Sequence, residues 1–419
     1  MKSLSRCTLP IFAAAFALPT LTGFAQTAPA TAPAAKPYKI IQTTQIPATG
    51  GLDYIAADSV NRRVYSAGGS VVNVFDLDTY KLVGTLPNAS GHGVALDPED
   101  HTGLVSGTNA VFFNTTTLTP IKTVSAPGAD GYLYDPFTHH FIILSHGAPN
   151  LHYFDSKDGS DVGTTDAIGP NDSNANVEQG VTDGQGNLYF DCSTQSCIAV
   201  VDAKTMKVTG HYDLGSSGGG AAGLAIDAKN HILFAMCRGA GGRGAPAGGA
   251  AASGPTCVIL SATDGKIITT LPLAGGSDGA VFNPNTMEAF SSSGGGNGTL
   301  SIIKENSPTD FVVEDTVTTK TNAKCCTLDT KTNNIIVHTT EAAPRPAAPA
   351  ASASASAASA MAPTSAAPAT ASAAPAPAAA SASAAPMAAS ASGGRRGGGR
   401  GPVGPQNLDI IFIGRDSAK

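Results

Sequence analysis

Four carboxylates, one imidazole and one primary amine share a position in a repeat. Asp53, His92, Asp130, Glu178, Asp278 and Lys324 each stand five residues ahead of an Asp or Asn that closes a short apolar segment, and the one remaining copy carries Ala222 there. Were the copies arranged around an axis, these side chains would meet at one opening. Asp53, Asp130, Glu178 and Asp278 would then offer hard oxygen donors to a divalent cation such as Ca²⁺, while His92 could recruit a transition metal. A cation would also relieve the repulsion among like charges. Held by those carboxylates, it could polarise a carbonyl and activate water. The other reading is plain: segment starts favour polar residues, the carboxylates are solvated, and Lys324 offsets a neighbour. The sequence leaves both open.

Other reactive residues point to no nucleophile. There is no G-x-S-x-G elbow, and the glycine runs at 218–220 and 294–296 lack the Lys-Ser/Thr of a phosphate loop. His139, His140 and His146 lie on or beside one hairpin and read as surface histidines. No C-x-x-C occurs, so neither a zinc ribbon nor a thioredoxin-like motif has support. Cys192 and Cys197 flank a four-residue hairpin connection, and Cys237 and Cys257 flank a Gly/Ala insert. Each pair is expected to form a structural disulfide, because hairpin mouths bring Cα atoms within bridging range. Cys325-Cys326 is either a strained vicinal disulfide or two thiols packed as small apolar side chains.

The elements that position these residues follow from the repeat. The closing Asp or Asn recurs at Asp58, Asp97, Asp135, Asp183, Asp227, Asn283 and Asp329, at intervals of 38 to 56 residues. Pro follows directly at Asp97-Pro98, Asp135-Pro136 and Asn283-Pro284, the composition of a tight turn. A second strand comes next, as in HHFIILSHG, and then two more joined by a polar hairpin, as in VVNVFDLDTYKLVGTL. Each unit is therefore four short strands of a size suited to one propeller blade. The last unit stops after its third strand, NLDIIFIGR, and the missing fourth is found at the other end of the chain, in Tyr38 to Ile46. The expected fold is all-β: a seven-bladed β-propeller whose ring is closed by N-terminal and C-terminal strands pairing. First strands line the channel of such a fold, so the six polar residues above would ring its mouth.

Outside the repeats the chain changes character. Lys2 and Arg6, the apolar run Ile11 to Leu18 and the small-x-small site Gly23-Phe24-Ala25 make residues 1–25 a signal peptide, so a periplasmic or secreted location is expected. Residues 26–37 read as a Thr/Ala/Pro linker, and 38–415 as the propeller. Two inserts interrupt it between second and third strands, a Gly/Ala loop over 238–256 in blade 5 and an Ala/Pro/Ser and Arg/Gly segment over 342–406 in blade 7, the latter too poor in large apolar residues to pack; both loops return to the face where first strands begin, so their arginines, Arg238 among them, are expected around the acidic opening. Acidic residues number 31 against 25 basic, which argues against nucleic acid or anionic lipid as a partner. No later stretch has the length of a membrane span, and the chain is expected to be a monomer. With no Trp, repeats that depend on that residue, including WD repeats, are excluded.

The segments VVNVFDLDTYKLVGTLP, IAVVDAKTMKV, GNGTLSIIKENSPTDFVVEDTVTT and CCTLDTKTNNIIVHT resemble the YVTN-repeat, YncE-like family of exported bacterial seven-bladed β-propellers. The resemblance covers nearly all of 38–415. It implies the fold and an extracytoplasmic location but brings no shared catalytic motif. Where that family tends to carry Arg-Thr in the first strand of its last blade, this chain has Cys325-Cys326. The expected function is a ligand-binding or protein-interaction module acting through an acidic channel mouth, with a protein, a wall polymer or a small ligand as partner. The alternative is a metal-dependent propeller hydrolase or lactonase using the channel carboxylates.

Overall fold

The computed structural model describes residues 36–48, 50–68, 70–168, 176–239, 254–343 and 405–415. The expected signal peptide, most of the expected linker, and 240–253 and 344–404 of the two inserts lie outside them. The described chain forms seven antiparallel sheets of four strands each, a seven-bladed β-propeller. The first strands are Leu52–Asp58, Gly93–Asp97, Ala129–Asp135, Val177–Thr182, Ala221–Asp227, Gly279–Asn283 and Cys326–Asp329. Among the described residues no helix is long and apolar enough to cross a membrane.

Burial explains the layering. Inner strands are closed on both faces, as in Ile232–Cys237, whose six residues are all buried, whereas the outermost strand Lys207–Asp213 alternates exposed and half-buried. Seven apolar clusters separate the seven blades, one per interface, with Tyr65 and Phe113 between blades 1 and 2 and Leu144 and Phe190 between blades 3 and 4. Each fully buried side chain of this size contributes about 1.5–3 kcal/mol relative to exposure.

The recurring Asp or Asn has a structural task. Asp58 Oδ1 accepts the backbone N–H groups of Val60 and Asn61 at 3.1 and 2.8 Å, two such N–H groups also reach Asp97, Asp135 and Asp227, and Asp329 accepts the Lys331 N–H and the Thr332 hydroxyl. Four residues later the chain takes a left-handed φ without glycine, at Arg62, His101, His139, His231, Met287 and Asn333. The Asx turn sets the first half of the reversal and the positive φ completes it. Several of these carboxylates also fasten the adjacent blade: Ser156 donates to Asp97 and Thr182 to Asp135, both at 2.7 Å, and Arg62 donates to Asp329 at 2.6 and 2.8 Å.

Ring closure is as expected. Tyr38–Pro47 pairs antiparallel with Gln406–Arg415 and becomes the outer strand of blade 7. Its first residue is anchored a second time, in blade 6: the Tyr38 hydroxyl donates to Glu288 at 2.6 Å, its ring packs edge-on against Phe290, and Arg415 lies over it while pairing with Glu288 at 2.7 Å.

Among the cysteine pairs, only Cys237–Cys257 departs from expectation in its placement. All six described cysteines are free thiols. Cys237 lies opposite Thr256 and Cys257 opposite Met236, so a one-residue offset sends their side chains to opposite faces of blade 5. Their membership of two different apolar clusters confirms it and rules out the bridge expected between them. Cys192 and Cys197 are directly opposite in register and share one cluster, the placement that their expected pairing requires. Cys325 and Cys326 are buried thiols whose sulfurs reach different carbonyls, those of Asp278 and Gly279, so no vicinal bridge is formed.

Deleting Tyr38–Pro47 uncovers the Gln406–Arg415 edge and removes the Tyr38 anchor. The expected outcome is aggregation or loss of a single cooperative melt, read by light scattering and circular dichroism. A truncated protein that stays monomeric and melts like the parent would overturn the closure.

Candidate functional site

The six repeat-position residues do meet at the channel mouth, and two further residues join them. Asp53, His92, Asp130, Glu178, Asp278 and Lys324 line one cavity of about 400 Å³ together with His146 and Arg238. Arg238 follows directly on the second strand of blade 5, Ile232–Cys237, and His146 on that of blade 3, His140–Ser145. Their backbones are held alike, Arg238 N–H donating to Gly220 at 3.1 Å and His146 N–H to Gly128 at 3.0 Å. Second strands end where first strands begin, so this position also faces the mouth. Blades 2, 4 and 6 carry Gly107, Ser193 and Gly294 there, too short to reach in. The reading of His146 as a surface histidine is thus corrected.

Acids and bases alternate completely around the opening. His92 Nδ1 lies 2.7 Å from Asp53 Oδ2 and 3.3 Å from Asp130 Oδ1. His146 Nε2 lies 3.3 Å from Asp130 Oδ2 and 3.8 Å from Glu178 Oε1. Arg238 Nη2 is 3.5 Å from Glu178 Oε2, and its Nε donates to Asp278 Oδ1 at 2.7 Å. Lys324 Nζ closes the circle, 3.4 Å from Asp278 and 2.7 Å from Asp53. In blade 5, where the repeat position holds Ala222, Arg238 fills the gap.

This interleaving changes the expected chemistry. The four carboxylates do not form one oxygen cage: among the described residues the close donor groups are Asp53–His92–Asp130 and Asp130–His146–Glu178, and Asp278 belongs to neither. Burial would raise Asp53, but the hydrogen bond from His92 and the charge of Lys324 hold it below the ordinary carboxylate value. The same hydrogen bond to Asp53 raises His92 above the usual imidazole range despite burial. Burial acts to lower Arg238, and the charges of Asp278 and Glu178 outweigh it, so the guanidinium stays firmly charged.

Beneath the ring the channel is crossed by side chains. Tyr54 of blade 1 spans it to donate from its hydroxyl to the Glu178 carbonyl of blade 4 at 2.9 Å, and its ring meets Tyr132 edge-on at 5.8 Å. Gly93 gives these rings room, since a Cβ there would collide with Tyr132. Gln179 bridges blades 4, 5 and 6, accepting from the Leu224 and Ala280 backbones and donating back to Ala280 at 2.9 Å. The mouth is accordingly a cup with a floor. Supports are buried: Asp191 Oδ1 accepts the N–H groups of Glu178 and Gln179 at 3.0 and 2.8 Å, and burial holds its carboxyl well above the usual range. His338, lowered to about 4 by burial, meets the Asp53 carbonyl at 3.2 Å and Ser66 Oγ at 2.8 Å. A second cavity of about 410 Å³, lined by Asn88, Ser90, Thr108 and Asn109, opens off the cup between blades 1 and 2 and shares Asp53 and His92 with it.

Replacing Arg238 by Met keeps bulk but leaves Glu178 and Asp278 facing each other without their cation. Stability should fall by about 1–3 kcal/mol, and adding Asp278→Asn should restore part of it. Urea unfolding of parent, single and double variants measures both, and an unchanged midpoint in Arg238→Met would refute the alternation as a stabilising feature.

No family model and no curated protein sequence matches this chain. Solved structures do resemble it in fold. One described as the WD40 repeats of RRP9 has a TM-score of 0.58 at 8% identity and covers 73% of this chain and 91% of its own. U3-55K gives the same score and identity, with 73% and 92% covered, and a chain of a mitotic checkpoint complex gives 0.59 at 13% identity, with 75% and 94%. The likeness is one of architecture, reached here without a single Trp: the chain is a seven-bladed β-propeller similar in fold to WD40-type propellers.

Proposed function

We propose that this propeller is an exported binding module of the YVTN-repeat type, whose channel mouth receives a polar partner. One observation carries the reading: eight charged or ionisable side chains from all seven blades are fixed in an alternating ring over a closed floor. Such a surface offers donors and acceptors at set spacings, which favours selectivity over strong non-specific attraction. It suits a ligand or protein tip bearing both charges, and the amide-lined cavity beside it extends the recognition surface. Solved propellers described as WD40 repeats and as part of a mitotic checkpoint complex agree with an interaction role by analogy of fold alone. The signal-peptide composition of residues 1–25 and the quoted repeat segments support export and the family. A metal-assisted hydrolase is the second reading, and the two His-carboxylate triads at the mouth are the observation in its favour.

A photo-crosslinking residue at Asn109, on the cavity rim, should capture a partner in the exporting cell. One at Val83, 50% exposed on the outer strand of blade 1, should not. Asp53→Asn with Lys324→Met should abolish the Asn109 adduct, and mass spectrometry of the same protein should find Gln26 at its N-terminus. Adducts from Val83 alone, or insensitive to the mouth variant, would contradict the proposal.

A further inference from the structure

The two donor triads at the mouth are not equivalent. In Asp53–His92–Asp130 the His92–Asp53 separation of 2.7 Å is that of a hydrogen bond, and Lys324 holds Asp53 at 2.7 Å from its other side. An ion there would have to break two short bonds. In Asp130–His146–Glu178 the separations from His146 Nε2 are 3.3 and 3.8 Å. Ligands about 2.05 Å from a tetrahedral Zn²⁺ stand about 3.3 Å apart along an edge. The His146–Asp130 edge has that length, the His146–Glu178 edge exceeds it by about 0.5 Å, and all three donor atoms lie within 4.8 Å of one another, so a small inward movement brings them onto one ion.

The outer oxygens supply an independent observation. Asp130 presents Oδ2 to His146 and Oδ1 to His92, at 3.3 Å each. Glu178 presents Oε1 to His146 and Oε2 to Arg238. Each carboxylate thus turns one oxygen into the triad and the other to a basic side chain outside it, the arrangement by which outer groups orient metal ligands. Their backbones are fixed too, that of Glu178 by Asp191 and Tyr54, and that of Asp130 by the Ser106 hydroxyl.

We propose that Asp130, His146 and Glu178 bind one divalent ion of borderline softness, of the Zn²⁺ class, with water from the cup in the fourth position. One imidazole and two single carboxylate oxygens suit this ion. Ca²⁺ takes six to eight oxygens, and Asp53 and Asp278, which would have to complete its shell, are engaged by Lys324 and Arg238. The inference stands on the mouth geometry and not on the binding-module reading: an ion without a cross-linked partner, or a partner without an ion, separates the two.

The test uses untagged protein without its signal peptide, stripped with chelator and titrated with Zn²⁺ against a chromophoric competitor, then with Co²⁺ followed by visible absorption. One equivalent should bind, with the intense bands of tetrahedral cobalt. His146→Ala should weaken Zn²⁺ at least 100-fold and abolish the bands, Glu178→Gln should weaken it at least 10-fold, and the His139→Ala/His140→Ala pair should behave like the parent. Melting curves establish that each variant is folded, and if His146→Ala is not, the Glu178→Gln titration decides. No saturable equivalent in the parent, binding unchanged in the folded His146→Ala or Glu178→Gln protein, or Ca²⁺ competing on equal terms would overturn the proposal.

Discussion

Closure of the ring is the constraint on which the rest depends. Asp53 and Lys324 are 271 residues apart in sequence and 2.7 Å apart in space, because Tyr38–Pro47 completes the blade that Cys326–Asp329 begins. On the other side of the same junction Arg62 of blade 1 grips Asp329 of blade 7 with two hydrogen bonds. A joined ring of wedge-shaped sheets leaves only short outer edges, and each blade is pressed between two apolar clusters. The mouth inherits its geometry from that compression.

What closure creates is a circle of charge that is compensated side chain by side chain. Two fixed cations and two imidazoles are set between four carboxylates, so no carboxylate faces another without a base between them. Tyr54, Tyr132 and Gln179 then block the channel beneath, which turns a pore into a cup. Side chains ordered in advance would lower the entropic cost of the recognition proposed for the mouth and restrict which polar patterns fit.

Much of this was legible in the sequence because it is local. The Asx turns, the alternating burial of hairpin strands and the strand left over at each terminus are short-range patterns, and they give the blades and the ring. The position five residues before Asp58 and its counterparts gave six of the eight mouth residues. Arg238 was legible only as one of several insert arginines on the mouth face, and His146 escaped: each is a long polar residue directly after a second strand, where other blades have Gly or Ser. Singling them out needs the exact end of each second strand, since a residue or two further on the side chain leaves the mouth. The Cys237–Cys257 expectation failed on register as well, since a one-residue offset, invisible in a loop-flanking pair, reverses the facing of a side chain. Left-handed backbone at Arg62 and Met287 was likewise hidden, because neither residue belongs to the types that favour it, Gly and, less strongly, Asn, Asp and His.

The most direct measurement of the central claim, that closure joins blades 1 and 7 into one compensated ring, is a double-mutant cycle on the pair that spans the junction at the mouth. Asp53→Asn, Lys324→Met and the double variant would be unfolded in urea at low salt beside the parent. A favourable coupling of about 1 kcal/mol or more, shrinking as salt is added, is the expected result for two partly buried groups in contact. Additive effects of the two substitutions, with no coupling at any salt concentration, would contradict it.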